Sequence, residues 1–154
     1  MVSKVDLVMW TKNSARMLPL VLKKISEVIP SELVGKRIIV DDYSDDNTVE
    51  VAKSFGAKVY DFQWRDDFST ARNEAIKYAT GDWILILDAD EFILEKDALR
   101  LRELLDTEEF MAYSFPFLAI READLVSLPI EEIKPVSTYY SIRLFKNGLG
   151  LKYE

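Results

Sequence analysis

The sequence predicts an α/β fold built on a mainly parallel sheet. Three observations lead there. From Lys4 to Leu105, short apolar runs alternate with segments of helical spacing, the order that a parallel sheet with right-handed crossovers requires. The most apolar run, Trp83-Ile84-Leu85-Ile86-Leu87, is short and bounded by turn signals, as a strand buried on both faces would be. Acidic clusters, Asp41-Asp42 and Asp88-Ala89-Asp90-Glu91, stand where two such strands end, and open parallel sheets bind ligands at that edge.

Taken in order, Lys4 to Trp10 reads as the first strand, and Thr11-Lys12-Asn13 leaves it as a polar loop. Asn13 or Ser14 can cap a helix whose inner stripe is Leu18, Val21, Leu22, Ile25 and Ile29. Pro19 fits only near a helix start, so the regular helix is expected from Met17 or Leu18, and Pro30 closes it. Gly35-Lys36 introduces the second strand, Arg37 to Val40. Asn47 and Glu50 have capping-box spacing, which assigns Asp45 and Asp46 to a helix start and leaves Asp41 and Asp42 to face a crevice. That helix runs from Thr48 to Phe55 and stops at Gly56. Ala57 to Phe62 is a third strand, and Gln63 to Phe68 a polar loop with two aromatics. Ser69 is the expected cap of a helix reaching about Ala79, with Ala71, Ala75 and Ile76 inward. Arg72 lies in its first turn, where the helix dipole does not favour a cation. It is open whether a ligand phosphate or a nearby Asp holds it. The fourth strand, Trp83 to Leu87, is followed by a helix from Ala98 to Leu105. After Asp106 the character changes. Met111 to Leu118 and Thr138 to Phe145 read as strands, Arg121 to Pro135 as a loop or short helix above the sheet, and Leu149 to Tyr153 as the start of one more strand.

Composition excludes whole classes of chemistry. Without Cys or His there is no disulfide, thiolate zinc site or His-dependent triad. Any metal site must use oxygen ligands, and any general base must be a carboxylate, Lys or Tyr. A net charge of −7 argues against nucleic acid and against an anionic membrane surface as partners. The N-terminus has no signal-peptide pattern and no apolar run approaches a membrane span, so a cytoplasmic protein is expected. A length of 154 residues suggests a single domain, 1–154.

In a doubly wound sheet the first strand is central, which gives an expected order 3-2-1-4. That order gathers Thr11, Asp41, Asp42, Asp88 and Asp90 into one crevice. Crowded carboxylates repel unless a cation neutralises them, and hard oxygen donors suit Mg²⁺ or Mn²⁺. A divalent-metal site holding a phosphate-bearing ligand is therefore expected. There is no G-x-G-x-x-G and no G-x-x-x-x-G-K-[ST] after the first strand, which excludes a Rossmann dinucleotide site and a P-loop.

Four stretches carry a resemblance to a known family: Thr11-Lys12-Asn13-Ser14, Ile39 to Thr48, Ala71-Arg72-Asn73-Glu74-Ala75, and Gly81 to Glu91 with its D-x-D. Together, in this order and spacing, they resemble the family 2 glycosyltransferases of GT-A fold. Arg143 to Gly148 is similar to a later family segment, and Trp64 to Phe68 to a subgroup. The resemblance implies a Rossmann-type three-layer α/β/α sandwich with added strands in the last third. Residues 1–106 would be the donor-binding half, and 107–154 a partial acceptor-side segment shorter than the family usually has. Thr11, Asn13, Asp41 or Asp42, and Ser44 would line the nucleotide pocket. Arg72 would lie near the diphosphate. Asp88, with Ala89 beside it, would engage ribose and metal, and Asp90 would be the principal metal contact. The reaction implied is transfer of a sugar from a nucleoside diphosphate, a UDP-sugar being expected, to an acceptor hydroxyl with inversion. The acceptor would be a saccharide, a lipid-linked group or a protein.

No residue carries over as the general base, although Glu122 and Asp124 are acids in the right region. The alternative is a nucleotide-sugar-binding module without turnover, completed by a partner or a further C-terminal part. A receiver-like phosphotransfer domain needs an acidic pair after the first strand, where this chain has Val8-Met9-Trp10-Thr11. The late aromatics Tyr139, Tyr140, Phe145 and Tyr153 are expected mainly in the core, with some on the face of a homo-oligomer.

Overall fold

The computed structural model describes residues 2–154, the side chains of residues 122, 125 and 126 excepted. Six strands form one sheet in the order β3-β2-β1-β4-β6-β5. β1 (Val5–Thr11), β2 (Val34–Asp41), β3 (Lys58–Asp61) and β4 (Trp83–Ile86) run parallel. β6 (Ser137–Lys146) returns antiparallel to β4, and β5 (Ala112–Ala119) pairs antiparallel with β6 at the edge. The 3-2-1-4 core is the order that the alternating pattern predicts.

The central strands are apolar on both faces because helices cover both. Val5, Leu7 and Met9 of β1 pack with Leu18, Val21, Leu22 and Ile25 of α1 (Leu18–Val28), Ala52 of α2 (Thr48–Ser54), and Leu101 and Leu105 further along the chain. Val8, Ile38, Val40, Ile84 and Ile86 face the other way, against Ala75 of α3 (Phe68–Ile76). This is the three-layer α/β/α sandwich. Trp83, 1% exposed, anchors the start of β4, and its indole N–H donates to Leu105 O at 3.0 Å.

Several local expectations are corrected. Asn47 makes no capping bond to α2. Asp46 takes the Thr48 N–H at 2.9 Å, and the Thr48 hydroxyl as well. α3 is capped by Asp67, which accepts from Ser69 N–H at 2.9 Å, and ends at Ile76. The competing side chains are equivalent in capping chemistry, and the backbone turn entering each helix decides which of them meets the free N–H. The helix expected over Ala98–Leu105 is two short ones, α4 (Glu95–Ala98) and α5 (Leu101–Asp106). Arg121–Pro135, by contrast, holds the short helix that is one of its two readings, α6 (Glu122–Ser127), and a 3-10 turn, Ile130–Glu132. Leu149–Tyr153 is not a strand. It crosses α3, where Asn73 exchanges two hydrogen bonds with the Tyr153 main chain, each 2.8 Å.

Candidate active site

The strand ends at the C-terminal edge of the sheet are tied to one another by side chains. The Thr11 hydroxyl donates to Asp41 at 2.8 Å, and the Ser44 hydroxyl and N–H donate to the same carboxylate at 2.6 and 2.8 Å. Asn13 N–H donates to Ser44 Oγ at 2.8 Å, and Asp45 N–H to Asn13 Oδ1 at 3.0 Å. Thr11 and Asp41 are 0% and 1% exposed, so their polar atoms are spent on the loops after β1 and β2. Asp42 is half-buried. It takes Trp64 N–H at 2.9 Å and stands 3.6 Å from Lys12 Nζ. Of the acidic pair, Asp42 is the one left at the surface.

β4 delivers the second cluster. Glu91 N–H donates back to Asp88 O at 2.9 Å, which closes Asp88-Ala89-Asp90-Glu91 into a turn with Asp90 near its tip. Asp90 is exposed, and its carboxylate makes no hydrogen bond or ion pair among the described residues. Asp88 is held by Arg72, whose Nη2 lies 2.9 and 3.2 Å from its two oxygens. The open alternative for Arg72 is thus resolved toward an ion pair in the free chain. Arg72 Nε is buried with no partner among the described residues, and the guanidinium lies 5.3 Å from the Tyr153 ring centroid.

Arg143 of β6 enters from the other side. It forks onto Glu91 with two 3.0 Å bonds and stands 3.7 Å from Asp88 Oδ1. Glu91 also accepts Asp88 N–H at 2.8 Å. Burial raises the Glu91 carboxyl above its ordinary value, and Asp88 and Asp90 add to the rise. The Asp88 N–H and Arg143 oppose it. Burial likewise raises the Tyr153 phenol.

Beside this turn an open cleft of about 650 Å³ runs between β4, α4 and the β5–β6 hairpin. Asp88, Asp90, Glu91 and Arg143 form its polar end, and Phe115, Phe117 and other apolar side chains form the rest.

Among the described residues, no group of three or more acidic side chains converges as a cation cage. The donor set is one free carboxylate, Asp90, with Asp88 available once Arg72 is drawn off it. That fits a Mg²⁺ or Mn²⁺ ion held by one or two carboxylates together with ligand phosphate oxygens and water.

The sheet order therefore brings Asp42, Asp88, Ala89, Asp90 and Arg72 to one edge, with Asn13 and Ser44 in the adjoining loop and Thr11 and Asp41 beneath it. Glu122 has a side chain outside the described residues. Asp124 pairs with Arg121 at 2.9 Å. Sequence reasoning placed Glu91 in the acidic cluster but missed its partners from β6, Arg143 and Tyr139, whose hydroxyl donates to Glu91 at 3.4 Å. An Arg inside an otherwise apolar strand, Ile142-Arg143-Leu144-Phe145, was the available signal.

Comparison with known proteins bears on the family and the fold. A TPR repeat-containing protein of Synechococcus elongatus is 40% identical over 152 residues, which is 99% of this chain and 34% of that protein. Two solved structures share the fold. One is Staphylococcus aureus TarS 1–349 with UDP-GlcNAc: TM-score 0.61, 22% identity, 77% of this chain and 34% of that one. The other is a mannosyltransferase from Pyrobaculum calidifontis with GDP-Man and Mn²⁺: TM-score 0.62, 22% identity, 82% and 38%. The chain thus spans about a third of the length of each of these relatives. The family model described as glycosyl transferase family 2 matches residues 6–149, from the buried Asp6 of β1 to just past β6, and the chain belongs to that family.

Proposed function

We propose that the chain binds a nucleoside-diphosphate sugar across the C-terminal edge of its sheet and donates the sugar to an acceptor hydroxyl, with inversion. One observation carries this reading: Arg72, Asp88 and the unpaired Asp90 meet at the end of β4, beside the loops that follow β1 and β2. Asp42, Asn13 and Ser44 are suited to the nucleoside, with Thr11 and Asp41 holding that loop in shape. A diphosphate competes with Asp88 for Arg72, and the exchange frees Asp88 for the ribose or the metal. Asp90, with Asp88, would hold a divalent cation that neutralises the departing diphosphate. The attacking hydroxyl must lose its proton to a carboxylate on the opposite face, and that base has no assignment among the described residues.

A UDP-sugar is the donor we favour. The two fold relatives carry UDP-GlcNAc and GDP-Man, so both bases belong in the test. The acceptor is a hydroxyl of a saccharide, a lipid-linked group or a protein. Among the described residues, no helix is long and apolar enough to cross a membrane. The absence of Cys suits action in the cytoplasm. Tyr140 and Ile142, exposed on β6, offer a face for self-association.

The test is calorimetric titration of UDP and GDP, with and without Mn²⁺, into this chain and into Asp90→Ala. Nucleotide binding strengthened by Mn²⁺, with the gain removed by Asp90→Ala, is the expected result. A folded chain that binds neither nucleotide under either condition overturns the reading. A second reading is a donor-binding module without turnover of its own, since no general base has an assignment among the described residues. Donor hydrolysis by the isolated chain separates the two.

A further inference from the structure

We infer that Arg143 is a positioning residue for the carboxylate at the tip of the β4 turn. It acts through Glu91, and this inference rests on the donor-site reading above. Arg143 is only 4% exposed, yet it lies on β6, which sequence order separates from the turn by 52 residues. Its donors are directed inward. Nε donates to Ser141 Oγ at 3.0 Å, and Nη1 and Nη2 donate to the two oxygens of Glu91 at 3.0 Å each. The flat face of the guanidinium lies 4.7 Å from the Phe117 ring centroid. A planar fork held at its stem, its tips and its face has little freedom left.

Glu91 passes that rigidity on. Its side chain is 12% exposed, and the oxygen bound by Arg143 Nη1 also accepts the Asp88 N–H at 2.8 Å. The Glu91 N–H donates to Asp88 O at 2.9 Å. Main chain and side chain of Glu91 therefore grip both polar groups of the Asp88 backbone. Ala89 and Asp90 are confined between the gripped ends. The direction in which the Asp90 carboxylate leaves the turn is set by this clamp, because Asp90 has no hydrogen bond or ion pair of its own among the described residues to set it.

The clamp also has an electrostatic part. Asp88, Asp90 and Glu91 would repel one another in so short a span. Arg143 neutralises Glu91 and stands 3.7 Å from Asp88, while Arg72 neutralises Asp88. That leaves one uncompensated carboxylate, at the point where a cation and a diphosphate would meet. Partners that orient metal-binding side chains typically matter by about 10- to 100-fold in metal affinity.

The experiment uses Arg143→Lys and Glu91→Gln in the full chain. The first keeps the charge and loses the fork; the second keeps the size and loses the carboxylate. Thermal melts establish that each is folded at the titration temperature. The readout is the ratio of UDP affinity with Mn²⁺ to that without it, supported by the electron paramagnetic resonance spectrum of bound Mn²⁺. In each variant the ratio is expected to fall by about tenfold or more. In the double variant it should fall no further than in the worse single one, since the two residues act as a unit. Folded variants that keep the wild-type ratio and spectrum overturn the positioning role and leave the donor-site reading intact. A wild-type chain that binds UDP with no Mn²⁺-dependent gain removes the metal site from the donor-site reading, and this inference with it; one that binds no nucleotide removes the donor-site reading whole. If Arg143→Lys does not fold, Glu91→Gln with an unchanged ratio still overturns the inference.

Discussion

Asp6 is the residue whose role is least visible in the sequence. It sits within an apolar strand and is 1% exposed. Its carboxylate accepts three main-chain N–H groups, from Lys36 at 2.6 Å, Thr80 at 2.7 Å and Gly81 at 2.8 Å. It thereby ties β1 to the starts of β2 and β4 at the end of the sheet opposite the site. Gly35 and Gly81 exist for its sake. A Cβ at Gly35 would lie 2.3 Å from Asp6 Oδ1, and one at Gly81 would lie 2.9 Å from it. Asp6→Ala leaves three donors unsatisfied and should cost on the order of 4 kcal/mol. Gly35→Ala should cost more than Gly81→Ala, because the carboxylate has nowhere to retreat. Urea midpoints of the three variants check this. A Gly35→Ala chain as stable as wild type would show that the Asp6 anchor is soft. Asp41 has the same character at the functional end, bound by Thr11 and Ser44. The sequence marks it as an acid after a strand but cannot say that its oxygens are already taken.

Helix starts behave as a class. α2 and α3 each begin on an aspartate that binds the N–H two residues on and a hydroxyl from the first turn, Asp46 with Thr48 and Asp67 with Thr70. The hydroxyl bond is the chief cause holding both carboxyls below their ordinary value. A depressed folded value means that the charged form is favoured in the fold. Its stabilisation is present above the unfolded carboxylate value of about 3.9 and disappears as pH falls through the lower folded value. Asp46→Asn and Asp67→Asn should therefore melt earlier than wild type at pH 7, and the difference should narrow as pH falls below 4. Thermal melts across that range check it. A gap that stays constant to the lowest pH would assign the loss to something other than charge. The existence of the elements was legible from periodicity, as with Leu18, Val21, Leu22 and Ile25 on α1. The caps were misjudged by a residue or two because Asn47 and Ser69 have capping chemistry as good as that of their neighbours, and only the backbone turn decides between them. The break between α4 and α5 was hidden because the buried Ala98 of α4 and Leu101 and Leu105 of α5 keep helical spacing across it.

The whole molecule is a mainly parallel sheet that antiparallel strands from the last third of the chain complete beside the candidate site. The first part was readable because βαβ units follow local rules, and the order 3-2-1-4 then fixes which loops are neighbours. The second part was not, because nothing local says that β6 lies beside β4 and delivers Arg143 to Glu91. Nor does anything local say that Tyr153 crosses back to cover Arg72. The candidate site is thus drawn from pieces at residues 11–13, 41–44, 72, 88–91 and 143, with residue 153 alongside. Ligand binding should tie those pieces together and leave the α1 side of the sheet as it was. Saturating UDP with Mn²⁺ at about a hundredfold excess over Kd stabilises the native state by about 2.7 kcal/mol. For a chain of this length that is a rise in Tm on the order of 5–10 °C, and Asp90→Ala should lose most of it. Hydrogen exchange locates the effect. Protection should rise in the loops after β1 and β2, in the β4 turn, at Arg143 and in the 149–154 segment, with α1 and α2 changing only through the global term. A rise confined to the β5–β6 hairpin would move the nucleotide to the apolar cleft and away from the strand ends. Protection at the strand ends that leaves Arg143 and residues 149–154 unchanged would mean that the late strands serve the fold and not the site.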